Sequence, residues 1–107
     1  MPSTGRMVVI YRTPRDPAAF DKRYHEVHVP LAHRLPGLLR YEVSTGPIAT
    51  PAGDVEPYLI AILHFESLDA LRRAFGTPEG RACAADRRIL APNDDDVQMY
   101  LFESGEV

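Results

Sequence analysis

The stretch Tyr58 to Glu66 (YLIAILHFE) constrains the fold more than any other part of the chain. Its period-two pattern sets Tyr58, Ile60, Ile62 and His64 on one face of a strand and Leu59, Ala61, Leu63 and Phe65 on the other. Both faces are mainly apolar, so both must be covered. The whole chain has 107 residues, enough for one domain (1–107) with a modest core and little left for a linker. Hydrophobic residues make up 45% and charged residues 25%, the balance of a soluble globular chain, so a disordered or fibrous reading fails. No apolar run approaches the roughly 20 residues of a membrane span, and MPSTGRMVVIYR lacks the layout of a secretory signal. A cytoplasmic location and no membrane partner are expected. A net charge of −3 argues against a nucleic-acid partner, which needs a basic face to displace phosphate counterions. The single cysteine, Cys83, excludes an internal disulfide and a cysteine-built zinc site. Neither GxGxxG nor GxxxxGK[ST] occurs, and no cofactor is expected.

Met7 to Arg12 is β-branched and bounded by Gly5 and Thr13-Pro14, which predicts a first strand. Asp16-Pro17 is a helix start: a carboxylate to cap free amides, then a proline at the first turn. Phe20, Tyr24, Val27, His28, Leu31 and Leu35 follow at helical spacing, with His28 the polar member of an apolar stripe. Pro30 removes a helical amide and disfavours helical geometry at Val29, which predicts a kink or break beside His28. Pro36-Gly37 ends the helix, and Leu39 to Thr45 alternates as a second strand with Tyr41, Val43 and Thr45 on one face. Gly46 to Pro57, with three prolines and two glycines, reads as a loop before the third strand. Ser67 caps a short helix carrying Leu68, Leu71 and Phe75; Thr77-Pro78 restarts another carrying Ala82, Ala85 and Ile89. Ala91-Pro92 stops it, an acidic turn over Asn93 to Asp96 follows, and Val97 to Phe102 alternates as a last strand.

The order strand, helix, strand, strand, helix pair, strand is the ferredoxin-like β-α-β-β-α-β plan, an α+β fold with a four-stranded antiparallel sheet and helices on one face. Its other face needs cover as well. Tyr58, Ile60, Ile62, Tyr41 and Val43 are too apolar to sit together in water, and back-to-back homodimerisation supplies the missing layer.

Two segments, DPAAFDKRYHEVHVPLAHRLPGLLRYEVS (Asp16 to Ser44) and FESLDALRRAFGTPEGRACAADRRI (Phe65 to Ile89), resemble an EthD-type dimeric α+β barrel protein. The elements that carry the resemblance are His28-x-Pro30-Leu31, Leu35-Pro36-Gly37-Leu38, Tyr41 and Thr77-Pro78-Glu79-Gly80. It implies a homodimer whose sheets close into a barrel, each protomer with a pocket between sheet and helices. The wider superfamily includes muconolactone isomerases, polyketide cyclases, cofactor-free aromatic monooxygenases and some haem proteins. Methylmuconolactone isomerases carry a histidine at the equivalent of His28 and a tyrosine at that of Tyr41. Their further site residues, a cysteine and a second histidine, fall at about Leu63 and Val55 here.

His28 is the leading candidate for acid–base chemistry, since an imidazole exchanges a proton near neutral pH and a proline break leaves a carbonyl free beside it. The alternative is a core histidine satisfied by one backbone bond. Tyr41 is read as the group that orients a substrate carbonyl or steadies an oxyanion, or else as a core aromatic. Tyr11, Tyr24 and Leu31 are candidate substrate-binding residues, and His64 is either a second acid or base or an edge residue near Glu66. His25, His28 and His33 cluster in sequence, but His33 lies across the proline, and no metal is assigned. The expected function is a homodimer that binds a hydrophobic cyclic or aromatic carbonyl metabolite and moves a proton without a cofactor, as an isomerase, cyclase or lyase does. The alternatives are a non-catalytic accessory or ligand-binding dimer of an oxidative degradation pathway, and a component associated with a monooxygenase or reductase.

Overall fold

The structure is a computed structural model that describes residues 4–107. Strand β1 (Thr4–Tyr11) is followed by helix α1 (Pro17–Arg23), a π-helical stretch (Tyr24–His28) and helix α2 (Val29–Ala32). Then come β2 (Arg40–Val43), β3 (Ala49–Thr50), β4 (Gly53–Asp54), β5 (Leu59–Phe65), α3 (Leu68–Phe75), α4 (Pro78–Leu90), a 3-10 turn (Asp94–Asp96) and β6 (Val97–Ser104). The main sheet has the order β2-β5-β1-β6 with every neighbouring pair antiparallel. This is the ferredoxin-like arrangement, with helices on one face. The loop expected over Gly46 to Pro57 contains a two-stranded hairpin, β3 and β4.

Helix starts follow the local chemistry. Asp16 Oδ1 accepts from the Ala19 amide at 3.1 Å, Ser67 Oγ from Ala70 at 3.0 Å and Thr77 Oγ1 from Gly80 at 3.1 Å. Of the kink or break expected at Pro30, the break does not occur; a π-helical irregularity stands beside His28 instead. Val29 keeps helical geometry (φ −58°, ψ −48°), and its amide donates to the Tyr24 carbonyl five residues back. One widened turn just ahead of Pro30 absorbs the missing amide, so helical backbone geometry continues from α1 through to α2. Tyr24 and His28 of the expected stripe are buried, whereas Val27 is exposed.

On the helix side of the sheet lie Val9 and Tyr11 of β1 and Leu59, Ala61, Leu63 and Phe65 of β5, all buried. Tyr41 and Val43 pair with Leu63 and Ala61 and pack against this core, so they face the helices and not, as expected, the Ile60–Ile62 side. Tyr58 also leaves that side: it precedes β5, meets Phe20 edge to face at 5.7 Å and donates to Asp21 at 2.9 Å. Gly5 sits where the start of α3 crosses β1; an added Cβ would meet the Ser67 carbonyl oxygen at 2.3 Å. Each fully buried large apolar side chain, such as Phe65 or Leu71, contributes about 2 kcal/mol through burial.

The buried face of α4 is Gly80, Cys83, Asp86 and Leu90. The expected stripe of Ala82, Ala85 and Ile89 is one residue out of register with it, and Ile89 is 59% exposed. An apolar count over an alanine-rich helix is satisfied by two neighbouring faces, and packing against the π-helical stretch and α2 selects the one that carries a carboxylate.

Candidate active site

The sheet, the π-helical stretch and α4 bring together side chains from distant parts of the chain. His28 is 7% exposed and Asp86 3%. His28 Nδ1 lies 2.9 Å from Asp86 Oδ2, while Asp86 Oδ1 accepts from Arg23 Nε at 2.9 Å and Nη2 at 2.6 Å. A carboxylate only accepts, so Nδ1 of the neutral imidazole carries the proton. Beside this triad, the Tyr24 ring lies 5.1 Å from that of His28, and the Tyr24 and Tyr41 hydroxyls are 2.5 Å apart. Tyr11 meets Tyr24 edge to face at 5.9 Å, and Cys83 is buried nearby on α4.

Neither His28 Nε2 nor the Tyr11 hydroxyl is hydrogen-bonded to another described residue. Tyr11 is almost wholly buried and His28 nearly so. A cleft of about 600 Å³ is walled by Tyr11, Phe20, Arg23, Leu90 and Ala91, and it shares Tyr11 and Arg23 with the cluster. A second, of about 790 Å³, lies under the β3–β4 hairpin and is lined by Asp21, His25 and Tyr58. Neither includes His28 or Tyr41.

Burial assigns the protonation states. It pushes the phenols of Tyr11 and Tyr24 well above the usual tyrosine range, Tyr41 up to about 12 and the Cys83 thiol up to about 11. All four therefore hold their protons at neutral pH. Burial draws His28 below its ordinary value, outweighing the opposite pull of the Asp86 carboxylate. The cluster thus combines hydroxyl donors with one neutral imidazole whose Nε2 lone pair is free. Donors can stabilise a developing oxyanion, and the lone pair can take a proton.

Of the residues singled out from sequence, His28, Tyr41, Tyr24 and Tyr11 converge here. Leu31 is half-buried on α2 and belongs to neither the buried core nor the hydrogen-bonded network. His64 lies on the opposite face of the sheet, where its Nε2 is 2.7 Å from Glu42 Oε1. His25 and His33 are exposed, and no group of three or more His, Cys, Asp or Glu side chains that could hold a metal occurs among the described residues. Sequence reasoning missed Asp86 and Arg23. The available signal was the spacing Gly80, Cys83, Asp86, Leu90, one carboxylate on a stripe of small and apolar residues.

Comparison with known proteins agrees with this architecture. An EthD domain model matches residues 12–91. An uncharacterised 11.0 kDa protein from the thcB–thcC intergenic region of Rhodococcus erythropolis is 39% identical over 82 residues, covering 76% of this chain and 78% of the relative. An ethyl tert-butyl ether degradation (EthD) family protein of Bacillus halodurans C-125 superposes with a TM-score of 0.80 at 27% identity, over 97% of this chain and 99% of that one. Two more distant structures share the fold alone. The hydroxynitrile lyase of Passiflora edulis has a TM-score of 0.72 at 15% identity, covering 100% of this chain and 98% of its own. A dimeric ferredoxin-like protein of Thermobifida fusca has a TM-score of 0.67 at 18% identity, covering 97% and 93%. With the family model spanning most of the chain and a relative this similar beside it, the protein belongs to the EthD-domain family.

Proposed function

We propose that the protein is a cytoplasmic homodimer that binds a small hydrophobic carbonyl compound, cyclic or aromatic, and catalyses a proton transfer without a cofactor, of the isomerase, cyclase or lyase kind. His28 is the acid–base group. One observation carries the reading: a buried, neutral imidazole with Nδ1 tied to a carboxylate and Nε2 free, beside tyrosine hydroxyls that hold their protons. A proton taken from carbon next to a carbonyl moves to Nε2, and the charge that develops on the carbonyl oxygen meets a phenol donor. Tyr11 has an unengaged hydroxyl and borders the 600 Å³ cleft, which suits it to receive the ligand. Tyr41, paired with Tyr24, has its other hydrogen-bonding valences left to orient the carbonyl.

The homodimer reading rests on the uncovered face of the sheet. Val8, Ile10, Ile60 and Ile62 form its middle, and Tyr100 and Phe102 on β6 are 52% and 42% exposed. An apolar sheet face of this kind calls for a second layer.

The test is deuterium exchange at carbon adjacent to the carbonyl, followed by NMR in D2O over a panel of cyclic ketones, lactones and aryl alkyl ketones, each with a hydrogen on that carbon. Wild type should accelerate exchange for one class, and His28→Ala should lose about 10²–10⁴-fold of that acceleration. Equal exchange in both proteins would end the acid–base assignment. The absence of His28 and Tyr41 from the walls of either cleft favours a second reading, a dimer that binds ligand without turning it over. Saturable binding with no exchange in wild type selects that one.

A further inference from the structure

We propose that Asp86 is a positioning residue which, clamped by Arg23, holds His28 in the tautomer with its proton on Nδ1 and so makes Nε2 the reactive nitrogen. The inference rests on the acid–base reading for its catalytic meaning, while its own test needs no substrate. Asp86 divides its two oxygens between partners: Oδ1 receives two bonds from the Arg23 guanidinium, and Oδ2 alone faces His28 Nδ1. Arg23 ends α1 and His28 ends the π-helical stretch that continues it, so these two are local neighbours, while helix packing brings Asp86 on α4 to them. The carboxylate is 3% exposed and cannot turn its second oxygen to water without breaking a contact. The imidazole is fixed in ring orientation and in tautomer, as an aspartate behind a catalytic histidine fixes it.

The role of Arg23 gives a sharp consequence for Asp86→Asn. A guanidinium only donates, so it holds the amide oxygen and turns the amide NH2 toward His28. Nδ1 must then accept, and the ring proton moves to Nε2.

Long-range ¹H–¹⁵N NMR reads which nitrogen carries the proton. In wild type at pH 8 the Nδ1–H tautomer should dominate, in D86N the Nε2–H tautomer, and in the R23Q/D86N double variant the preference should relax toward a mixture, because the amide is free to turn. The conservative variant D86E keeps a carboxylate acceptor and should retain the wild-type tautomer at least in part. A dominant Nε2–H tautomer in wild type overturns the proposal, and that measurement stands even where a variant fails to fold. An unchanged tautomer in folded D86N overturns it equally. If the exchange assay responds to His28, D86N should lose about 10²-fold or more. If instead His28→Ala leaves exchange unchanged, the acid–base reading fails while the tautomer result still decides the role of Asp86.

Discussion

Two histidine–carboxylate pairs sit on opposite faces of one sheet, and they differ in surroundings more than in geometry. His28 and Asp86 are 2.9 Å apart with side chains 8% and 3% exposed; His64 and Glu42 are 2.7 Å apart with side chains 19% and 45% exposed. Asp86 is locked by Arg23 inside the helix layer, whereas Glu42 shares itself with Arg40 at 3.3 Å on a face that water reaches. Distance alone would rank the pairs as equals. Burial within one chain separates them: in the helix layer the carboxylate must be matched bond for bond, whereas on the other face of the sheet solvent screens the pair and substitutes for either partner until a second subunit covers it.

The largest effect expected from this contrast concerns the open face as a whole. Val8→Lys places a charge between Ile62 and Tyr100 in the uncovered apolar surface and should convert a dimer to a monomer in sedimentation velocity. A wild-type protein that already sediments as a monomer would remove the need for a covered face. Next, Asp86→Ala should cost about 3 kcal/mol in urea denaturation, since it strands His28 and half-strands Arg23, which can still turn to solvent. A loss no greater than that of Glu42→Ala would erase the distinction between the pairs.

Acidity sharpens the same contrast. The folded-state value of His28 lies below that of the unfolded chain, near 6.5, so the unfolded state takes up a proton first as pH falls. This contribution to stability is therefore present above about pH 6.5 and is lost as the pH drops through the ordinary histidine range. Thermal melts of wild type and His28→Gln between pH 8 and 5 should show a steeper decline in wild type; parallel curves would contradict the burial argument. The smallest effect is reserved for Glu42→Ala measured on the monomeric form, at most about 1 kcal/mol and reduced further by salt.

The features legible in the sequence are those that arise within a few residues. Asp16, Ser67 and Thr77 act as caps where their side chains reach an amide three residues on. The alternation of Leu59 to Phe65 survives as a strict buried and half-buried pattern. Tyr41 shows the limit. Its alternation with Glu42 is plain, but which side faces the helices depends on its register against Leu63 on β5, a partner about twenty residues away in the chain. The helix at Pro30 shows another: a proline forbids one hydrogen bond, and a single π turn rearranges the neighbouring bonds without interrupting helical backbone geometry.

By itself, then, the sequence determined the order of the four main strands and of the helices between them, the sites of the caps, the two-sided apolar pattern of β5 and the prominence of His28 and Tyr41. Only the tertiary structure decided that Asp86, and not Ala82 or Ala85, faces inward, and that its carboxylate lies between Arg23 and His28. Propensity, capping and periodicity are local energies that a short window of chain contains. The pairing of His28 with a carboxylate 58 residues away, and its separation from His64, are set by how helices cross and which face of the sheet they cover. Those choices are made by the packing of the whole molecule.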